Sequence, residues 1–223
     1  LLSGLIFTAV LILCFFLFNR RLSALIATIT HRKRALLEQQ RSIHELIKDP
    51  KITMDLADDF IRSINEKAAK VLKVNRVGLW KVELLSEQAT ALDVFVKDKA
   101  RHGSAGLVLD CADYPGITEA LRSEDIITIS DMSTDSRATD LPETLERYAI
   151  KAAIYTYVEI NDDTAILLSC EDTKSTRSWT IEEQIFTQSL VNLAAMATAV
   201  ANQKNTAIRL QAAKDEAEAA NHS

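Results

Sequence analysis

The sequence predicts an α+β fold in which helices flank an antiparallel sheet, with further helices at both ends of the chain. Only five glycines and three prolines occur in 223 residues, and this low content favours long regular elements. Two pairs of short apolar runs, each joined by a polar turn, have the pattern of β-hairpins. Helical patterns with one apolar face precede the first pair and follow the second. This order of elements is typical of an α+β sandwich.

The charged residues divide the chain into three regions. Residues 1–18 have no charged side chain, residues 19–48 carry seven Lys or Arg and two Glu, and residues 49–223 carry 19 basic and 29 acidic side chains. Because the acidic third region would repel phosphate, we expect no nucleic-acid partner. The glycines form neither a P-loop nor a dinucleotide-binding turn, which excludes ATP or NAD chemistry of those types.

Residues 1–18 have the length and composition of a membrane-spanning helix. They are longer than a signal-peptide core, and they lead to Arg20 and Arg21 instead of a small-residue cleavage site. These arginines and the basic cluster 31–34 follow the apolar run, so the positive-inside rule predicts that the rest of the chain is cytoplasmic. We therefore expect the chain to be anchored in the inner (plasma) membrane, with membrane lipid as a partner.

Residues 19–49 are predicted to form a connecting helix with a heptad seam. Leu22, Ile29, Leu36 and Ile43 take the d positions, and Ile26, Lys33, Gln40 and Ile47 take the a positions. This pattern favours a parallel homodimer through residues 20–48. A single amphipathic helix lying on the lipid surface is the alternative, because basic side chains also suit that role.

The region after residue 50 opens with a helix that Thr53 can cap and that ends near Val74. Four elements then follow in order: strands 76–83 and 91–96, which form a hairpin, a short helix over 114–122, and a third strand over 126–130. Asp140 and Glu143 have the spacing of a capping box, which opens another short helix.

A second hairpin pairs strands 151–160 and 164–171, and both strands are apolar on both faces. Such strands predict a sheet that is covered on both sides. Thr180 and Glu183 form a second capping box, which opens a long helix. Small residues continue along this helix as a seam at Leu210, Ala213, Ala217 and Ala220, so we expect a second dimer contact over 181–220.

Several short motifs accompany this order of elements: R-V-G-L-W at 76–80, D-Y-P at 113–115, I-I-T-I-S-D-M-S-T-D-S-R at 126–137, A-I-K-A-A-I at 149–154 and R-S-W-T-I-E-E-Q-I-F at 177–186. Together they resemble a GAF domain, over residues 50–203. Residues 209–223 are similar to the linker that precedes the dimerisation and phospho-acceptor domain of hybrid sensor histidine kinases. This second resemblance implies that residues 204–223 are a signalling helix leading to a kinase core beyond the chain.

The two resemblances imply the sensory and relay region of a membrane-bound two-component histidine kinase. Such a region passes a signal from the membrane span and the GAF domain to a downstream kinase domain, and from there by phosphorelay to a response regulator. The chain itself then has no catalytic residue. Three alternatives stay open: the GAF sensor of a diguanylate cyclase, a GAF-type methionine sulfoxide reductase, and a dimerising spacer that binds nothing.

The GAF resemblance also implies a pocket for a small molecule, which the sequence does not identify. Four residues are candidate ligand contacts: His102, Tyr114, Asp131 and Arg137. His102 lies where GAF relatives often have His or Gly before the pocket helix, and Tyr114 belongs to the D-Y-P motif. Asp131 and Arg137 lie in the loop that covers the pocket in relatives, and Arg137 would contact an anionic ligand.

No metal or covalent cofactor is expected from the residues themselves. Cys111 and Cys170 lack the flanking residues usual at a bilin attachment site, and Cys170 has the position of a core residue. A lone His102 supports neither a closed zinc site nor a catalytic triad. The acidic loop has Ser136 and Pro142 where a calcium loop needs Gly and Glu.

Overall fold

The computed structural model describes residues 2–52, 57–138 and 149–221. Within these ranges, side chains are described from Phe15 to Asp215, except those of residues 31 and 52, and at Glu218. The predicted cap at Thr53 and the predicted capping box at Asp140 and Glu143 lie outside the described residues. The chain separates into two units, residues 1–41 and residues 42–223.

The first unit belongs to helix α1 (Leu2–Ile47), which extends through the predicted connecting helix. Leu22, Ile26, Ile29 and Leu36 of the predicted seam are exposed. No helix formed by the described residues is both long and apolar enough to cross a membrane. The predicted span over 1–18 lies largely outside the described side chains and stays a prediction.

The second unit is built on an antiparallel sheet, which the described residues form from seven strands. The strands are β1 (Arg76–Glu83), β2 (Gln88–Val96), β3 (Arg101–Gly103), β4 (Val108–Asp110), β5 (Ile126–Ile129), β6 (Ala152–Asn161) and β7 (Thr164–Asp172). Their spatial order is β3-β2-β1-β7-β6-β5, and β4 also pairs with β2. The central pair, β1 and β7, joins residues far apart in sequence, with Arg76 opposite Glu171.

Helices cover the two faces of the sheet unequally. Helix α2 (Ala57–Val71) and helix α4 (Ile181–Asn221) pack on one face, together with Ile43 and Leu46 at the end of α1. Helix α3 (Pro115–Ser123) lies on the other face, where Ile117 contacts the core formed with β5 and β6. Ile43 therefore packs against the domain core, although the heptad pattern assigned it to the dimer seam.

Successive side chains of a β-strand point to opposite faces, which explains how one sheet contacts a layer on each side. Val77 and Leu79 of β1 are completely buried against the helical face, while Arg76 and Trp80 point to the opposite face. Strands β6 and β7 alternate in the same way. The prediction of an antiparallel sheet with both faces covered is confirmed.

The structure differs from the sequence prediction mainly at short strands. β3 and β4 have three residues each, too few for a periodic pattern, and neither was predicted. β2 begins at Gln88, three residues before its predicted start, because Gln88–Thr90 pair with the end of β1. Helix α3, the second hairpin and the long C-terminal helix agree with the prediction.

The predicted capping box at the start of α4 is present. The Thr180 backbone N–H donates to Glu183 Oε2 at 2.9 Å, and the Glu183 N–H donates to Thr180 Oγ1 at 3.2 Å. These reciprocal bonds satisfy two N–H groups that a helix N-terminus leaves without partners.

Arg177 and Trp179 of the same motif attach α4 to the sheet and to α2. The Trp179 indole N–H donates to the Ile129 carbonyl at 3.2 Å, and its ring lies 4.4 Å from the Arg177 guanidinium carbon. Arg177 donates to the Leu72 carbonyl at 2.8 Å and pairs with Glu183. The most recognisable motif of the sequence is therefore structural, since it joins three elements at one point.

We expect Trp179→Ala to lower the free energy of unfolding by about 3–5 kcal/mol, the usual result of truncating a buried tryptophan. Leu85→Ala is the control, because Leu85 is 85% exposed, and its effect should stay within about 0.5 kcal/mol. Urea denaturation followed by circular dichroism measures both. Equal midpoints for the two variants would contradict this role of Trp179.

Candidate functional site

A cavity of about 480 Å³ lies between the sheet and α3, on the face opposite α2 and α4. Its volume is within the range of small-molecule sites. Four aromatic side chains line it: Trp80, Tyr114, Tyr155 and Tyr157. The remaining wall is mainly aliphatic, with leucines from β4, β7 and α3.

A buried ion pair lies at the sheet side of this cavity. Arg76 Nη1 is 2.6 Å from Glu171 Oε2, and the two side chains are only 8% and 5% exposed. The register of β1 and β7 places the two residues directly opposite each other. Because each charge is desolvated, each depends on the other, and removal of one would leave the other buried without its main counter-ion.

Gly78 determines how Trp80 forms the cavity wall. The Trp80 indole N–H donates to Ser169 Oγ at 3.3 Å, so the ring lies along the sheet surface. A Cβ atom on Gly78 would be 2.6 Å from Trp80 Nε1 and 2.9 Å from Ser169 Oγ. Only glycine leaves room for this arrangement, because the neighbouring strand fixes Ser169 in place.

The rim of the cavity is polar. Arg122 of α3 pairs with Glu87, which lies in the turn between β1 and β2. Glu83 pairs with Lys81, whose Nζ is 3.2 Å from Glu83 Oε1. Cys111 also lines the cavity, and burial raises the pKa of its thiol above the ordinary value, with the nearby Glu87 carboxylate adding to the effect.

Cys170 occupies a different environment from Cys111. It is completely buried on the helical face of the sheet, on the same side of β7 as Ile166 and Leu168. Burial raises the pKa of the Cys170 thiol strongly. Cys170 is therefore a core residue, as the sequence predicted, and it does not line the cavity with Cys111.

Of the four predicted ligand contacts, Tyr114 is the one that lines the cavity. Asp131 accepts hydrogen bonds from the Ser133 N–H at 3.0 Å and the Ser133 hydroxyl at 2.6 Å. Arg137 donates to both carboxylate oxygens of Asp135, at 2.9 and 2.7 Å, and to the Thr128 carbonyl at 2.7 Å. The polar groups of Asp131 and Arg137 thus stabilise their own loop, and ligand binding by them stays a prediction.

His102 lies outside the cavity, in the edge strand β3. Its Nδ1 is 2.8 Å from Asp93 Oδ2 and its Nε2 is 3.0 Å from Glu66 Oε1, while the ring centroid is 4.7 Å from that of Phe95. The side chain is 21% exposed, and His102 is not among the residues that line the cavity. It connects β3 to β2 and α2.

The sequence reasoning missed Arg76 and Glu171. Both lie in predicted strands, where a charged residue beside apolar ones is a signal for a buried ion pair. A buried charge requires a partner, so the opposite charges of Arg76 at the start of β1 and Glu171 near the end of β7 could have been proposed as such a pair. Within the described part of the chain, no group of three or more His, Cys, Asp or Glu is placed to hold a metal ion.

Comparison with known proteins agrees with this fold. The sequence pattern of the GAF domain matches residues 57–198. The chain therefore belongs to the GAF domain family, whose members are sensory domains. No curated protein matches the chain.

Solved GAF domains share the fold at low sequence identity. The phycoerythrobilin-bound GAF domain from a cyanobacterial phytochrome has a TM-score of 0.61 and 17% identity, over 75% of this chain and 97% of that one. The GAF domain of a phosphoenolpyruvate-protein phosphotransferase from Coxiella burnetii has a TM-score of 0.61 and 14% identity, over 77% of this chain and 96% of that one. The GAF domain of the Acinetobacter phosphoenolpyruvate-protein phosphotransferase has a TM-score of 0.58 and 14% identity, over 75% of this chain and 94% of that one.

We expect the contribution of His102 to stability to decrease as pH rises. Burial alone would lower the pKa of the imidazole, but the carboxylates of Asp93 and Glu66 outweigh it and raise the pKa above 6.5. The stabilisation is therefore complete below pH 6.5 and is lost as pH passes through the raised pKa. Urea unfolding of the wild type and His102→Gln from about pH 6 to 9 measures this.

The difference in unfolding free energy between the two proteins should narrow with pH, by at most about 1.4 kcal/mol per pH unit for one proton. Lys81→Gln is a suitable control, because Lys81 lies outside this cluster and should leave the slope unchanged. A difference that is independent of pH would contradict the ion-pair role of His102.

Proposed function

We propose that the chain is a ligand-sensing relay, in which a small molecule in the cavity changes the arrangement of the helices on the opposite face of the sheet. The observation that carries this proposal is that the cavity and the helical layer share the strands β1, β6 and β7. These strands line the cavity with one set of side chains and contact α2 and α4 with the alternate set. A shift of the strands would therefore reach both layers.

The long helix α4 is the natural output element. Its last fully buried position is Ala197, and every side chain from Asn202 to Asp215 is exposed. Ile208 and Leu210 are 56% and 72% exposed, which suits pairing with the same helix of a second copy. Lys214 Nζ lies 3.8 Å from Glu218 Oε1, an i,i+4 pair that supports the helix.

A homodimer through 20–48 and 181–220 is consistent with the apolar residues that these helices leave exposed. The part of α4 that packs on the sheet has an exposed apolar stripe on its outer side, formed by Ile181, Ile185, Met196 and Val200. Leu22, Ile26, Ile29 and Leu36 of the predicted α1 seam are exposed in the same way, whereas Ile43 packs against the domain core. Exposed apolar stripes of this length are typical of interaction surfaces.

We further propose that the output is a histidine kinase core. The linker-like sequence over 209–223 favours it over a diguanylate cyclase. The reductase alternative is less favoured, because Cys111 lines the cavity while Cys170 lies in the core on the other face. The response regulator of the kinase would then be the downstream partner.

The relay is tested by insertions after Ala207 in the full-length protein that contains this chain. Four inserted residues shift the phase of the helix seam, so autophosphorylation should become fixed at a high or low level. Seven residues restore the phase and should preserve the wild-type level. If both insertions leave autophosphorylation unchanged, a flexible tether describes α4 better. Cyclic diguanylate synthesis without autophosphorylation would support the cyclase alternative.

The proposed anchoring in the inner membrane rests on the apolar run 1–18 and on the basic residues that follow it. We expect green fluorescent protein fused after Ser223 to fluoresce, and alkaline phosphatase at the same position to be inactive, because the latter requires the periplasm. Active phosphatase in this fusion would contradict a cytoplasmic domain. Deletion of residues 1–18 should release the fusion from the membrane fraction.

A further inference from the structure

Building on the proposed ligand-sensing function, we infer that the cavity selects a neutral, planar aromatic molecule and rejects charged ones. Three features of the cavity carry this inference: the pairing of its charged residues, the neutral character of its hydroxyl groups, and the aromatic side chains in its walls.

Every charged side chain that lines the cavity, among the described residues, is already paired with an opposite charge. Arg76 pairs with Glu171 at the sheet side, Arg122 with Glu87 at the rim, and Glu83 with Lys81. An anionic ligand would have to compete with a carboxylate for an arginine and would itself lie near three carboxylates. A cationic ligand would have to displace an arginine or lysine from a carboxylate. A neutral ligand leaves all three pairs intact.

The hydroxyl groups in the cavity wall are neutral at physiological pH. Tyr155 is buried, and its burial raises the pKa of its phenol well above the ordinary value. Burial also raises the pKa of Tyr157 to about 12. Together with Ser169, these residues provide uncharged donors and acceptors, which recognise amide, carbonyl or hydroxyl groups.

The walls suit a flat ring system. The Trp80 indole is held along the sheet by Ser169 and by the absence of a Cβ at Gly78. Tyr114, Tyr155 and Tyr157 provide further aromatic surface around the same space. Aromatic pairs favour offset-stacked or edge-to-face contacts, so a planar ligand gains more from such walls than a branched aliphatic one of the same size.

Three probes of nearly the same shape separate charge from size: 9-anthracenemethanol, 9-anthracenecarboxylate and 9-(aminomethyl)anthracene. At pH 7.5 the alcohol is neutral, the carboxylate is negatively charged and the amine is positively charged. The full chain in lipid nanodiscs is treated with methyl methanethiosulfonate, and peptide mass spectrometry measures the modification rate at Cys111, which lines the cavity. Cys170 serves as an internal control, because its complete burial prevents modification in the folded protein.

We expect the neutral probe to protect Cys111 at a concentration at least about tenfold lower than either charged probe. Ala89→Trp fills the cavity and should abolish protection, while Leu85→Trp, outside the cavity and 85% exposed, should retain it. Glu87→Gln removes a rim carboxylate from the exposed Arg122. This variant should improve the protection of Cys111 by 9-anthracenecarboxylate severalfold without changing its protection by 9-anthracenemethanol. It also keeps the test valid if Ala89→Trp does not fold.

Equal or stronger protection by a charged probe, abolished by Ala89→Trp, would overturn the selectivity inference and leave the ligand-sensing function standing. Failure of all three probes to protect Cys111 in the folded wild-type chain would overturn the inference. Unchanged signalling of the full-length Ala89→Trp protein would contradict the ligand-sensing function itself.

Discussion

The burial of both faces of the central strands is the constraint on which the rest of this domain depends. β1 and β7 lie in the middle of the sheet, and neither face of these strands is left to solvent. One face requires α2 and α4, and the other requires α3 with the segments around it. The cavity lies within that second layer, because α3 is short and covers only part of the sheet. The cavity and the proposed output helix therefore lie on opposite sides of the same strands.

The two layers are closed by different chemistry. The helical layer is mainly apolar, with Phe60, Ile64 and Leu190 completely buried between α2, α4 and the sheet. Its buried polar side chains include Asn65, which donates to Asp93 Oδ2 at 2.8 Å. The cavity layer contains an ion pair, hydroxyl groups and aromatic rings. Well-packed apolar layers transmit strain because they have few voids, whereas a cavity accepts different occupants. This difference suits the proposed function, in which the cavity side responds to a ligand and the apolar side holds the helices.

The attachment of α4 shows how such a response could reach the output helix. Arg177 and Trp179 bind α4 to the end of α2 and to β5, and β5 continues the sheet that lines the cavity. The helix is thus held at its N-terminus by contacts from two elements, and its side chains from Asn202 to Asp215 are exposed. In the proposed relay, a small change at the attached end would be carried along α4 as a rotation about its axis.

The sequence by itself determined the elements with strong periodicity: the long helices, both hairpins, α3 and the capping box at Thr180. It also indicated the GAF family, because the motif around Trp179 is local. Only the tertiary structure decided which residues form the cavity. Arg76 and Glu171 are 95 positions apart and meet because β1 pairs with β7. His102 was assigned to the pocket by its neighbours in sequence, but the three-residue strand β3 places it against Asp93 and Glu66. Local patterns report which face of an element is buried, whereas the partners of a polar side chain depend on strand pairing across the whole chain.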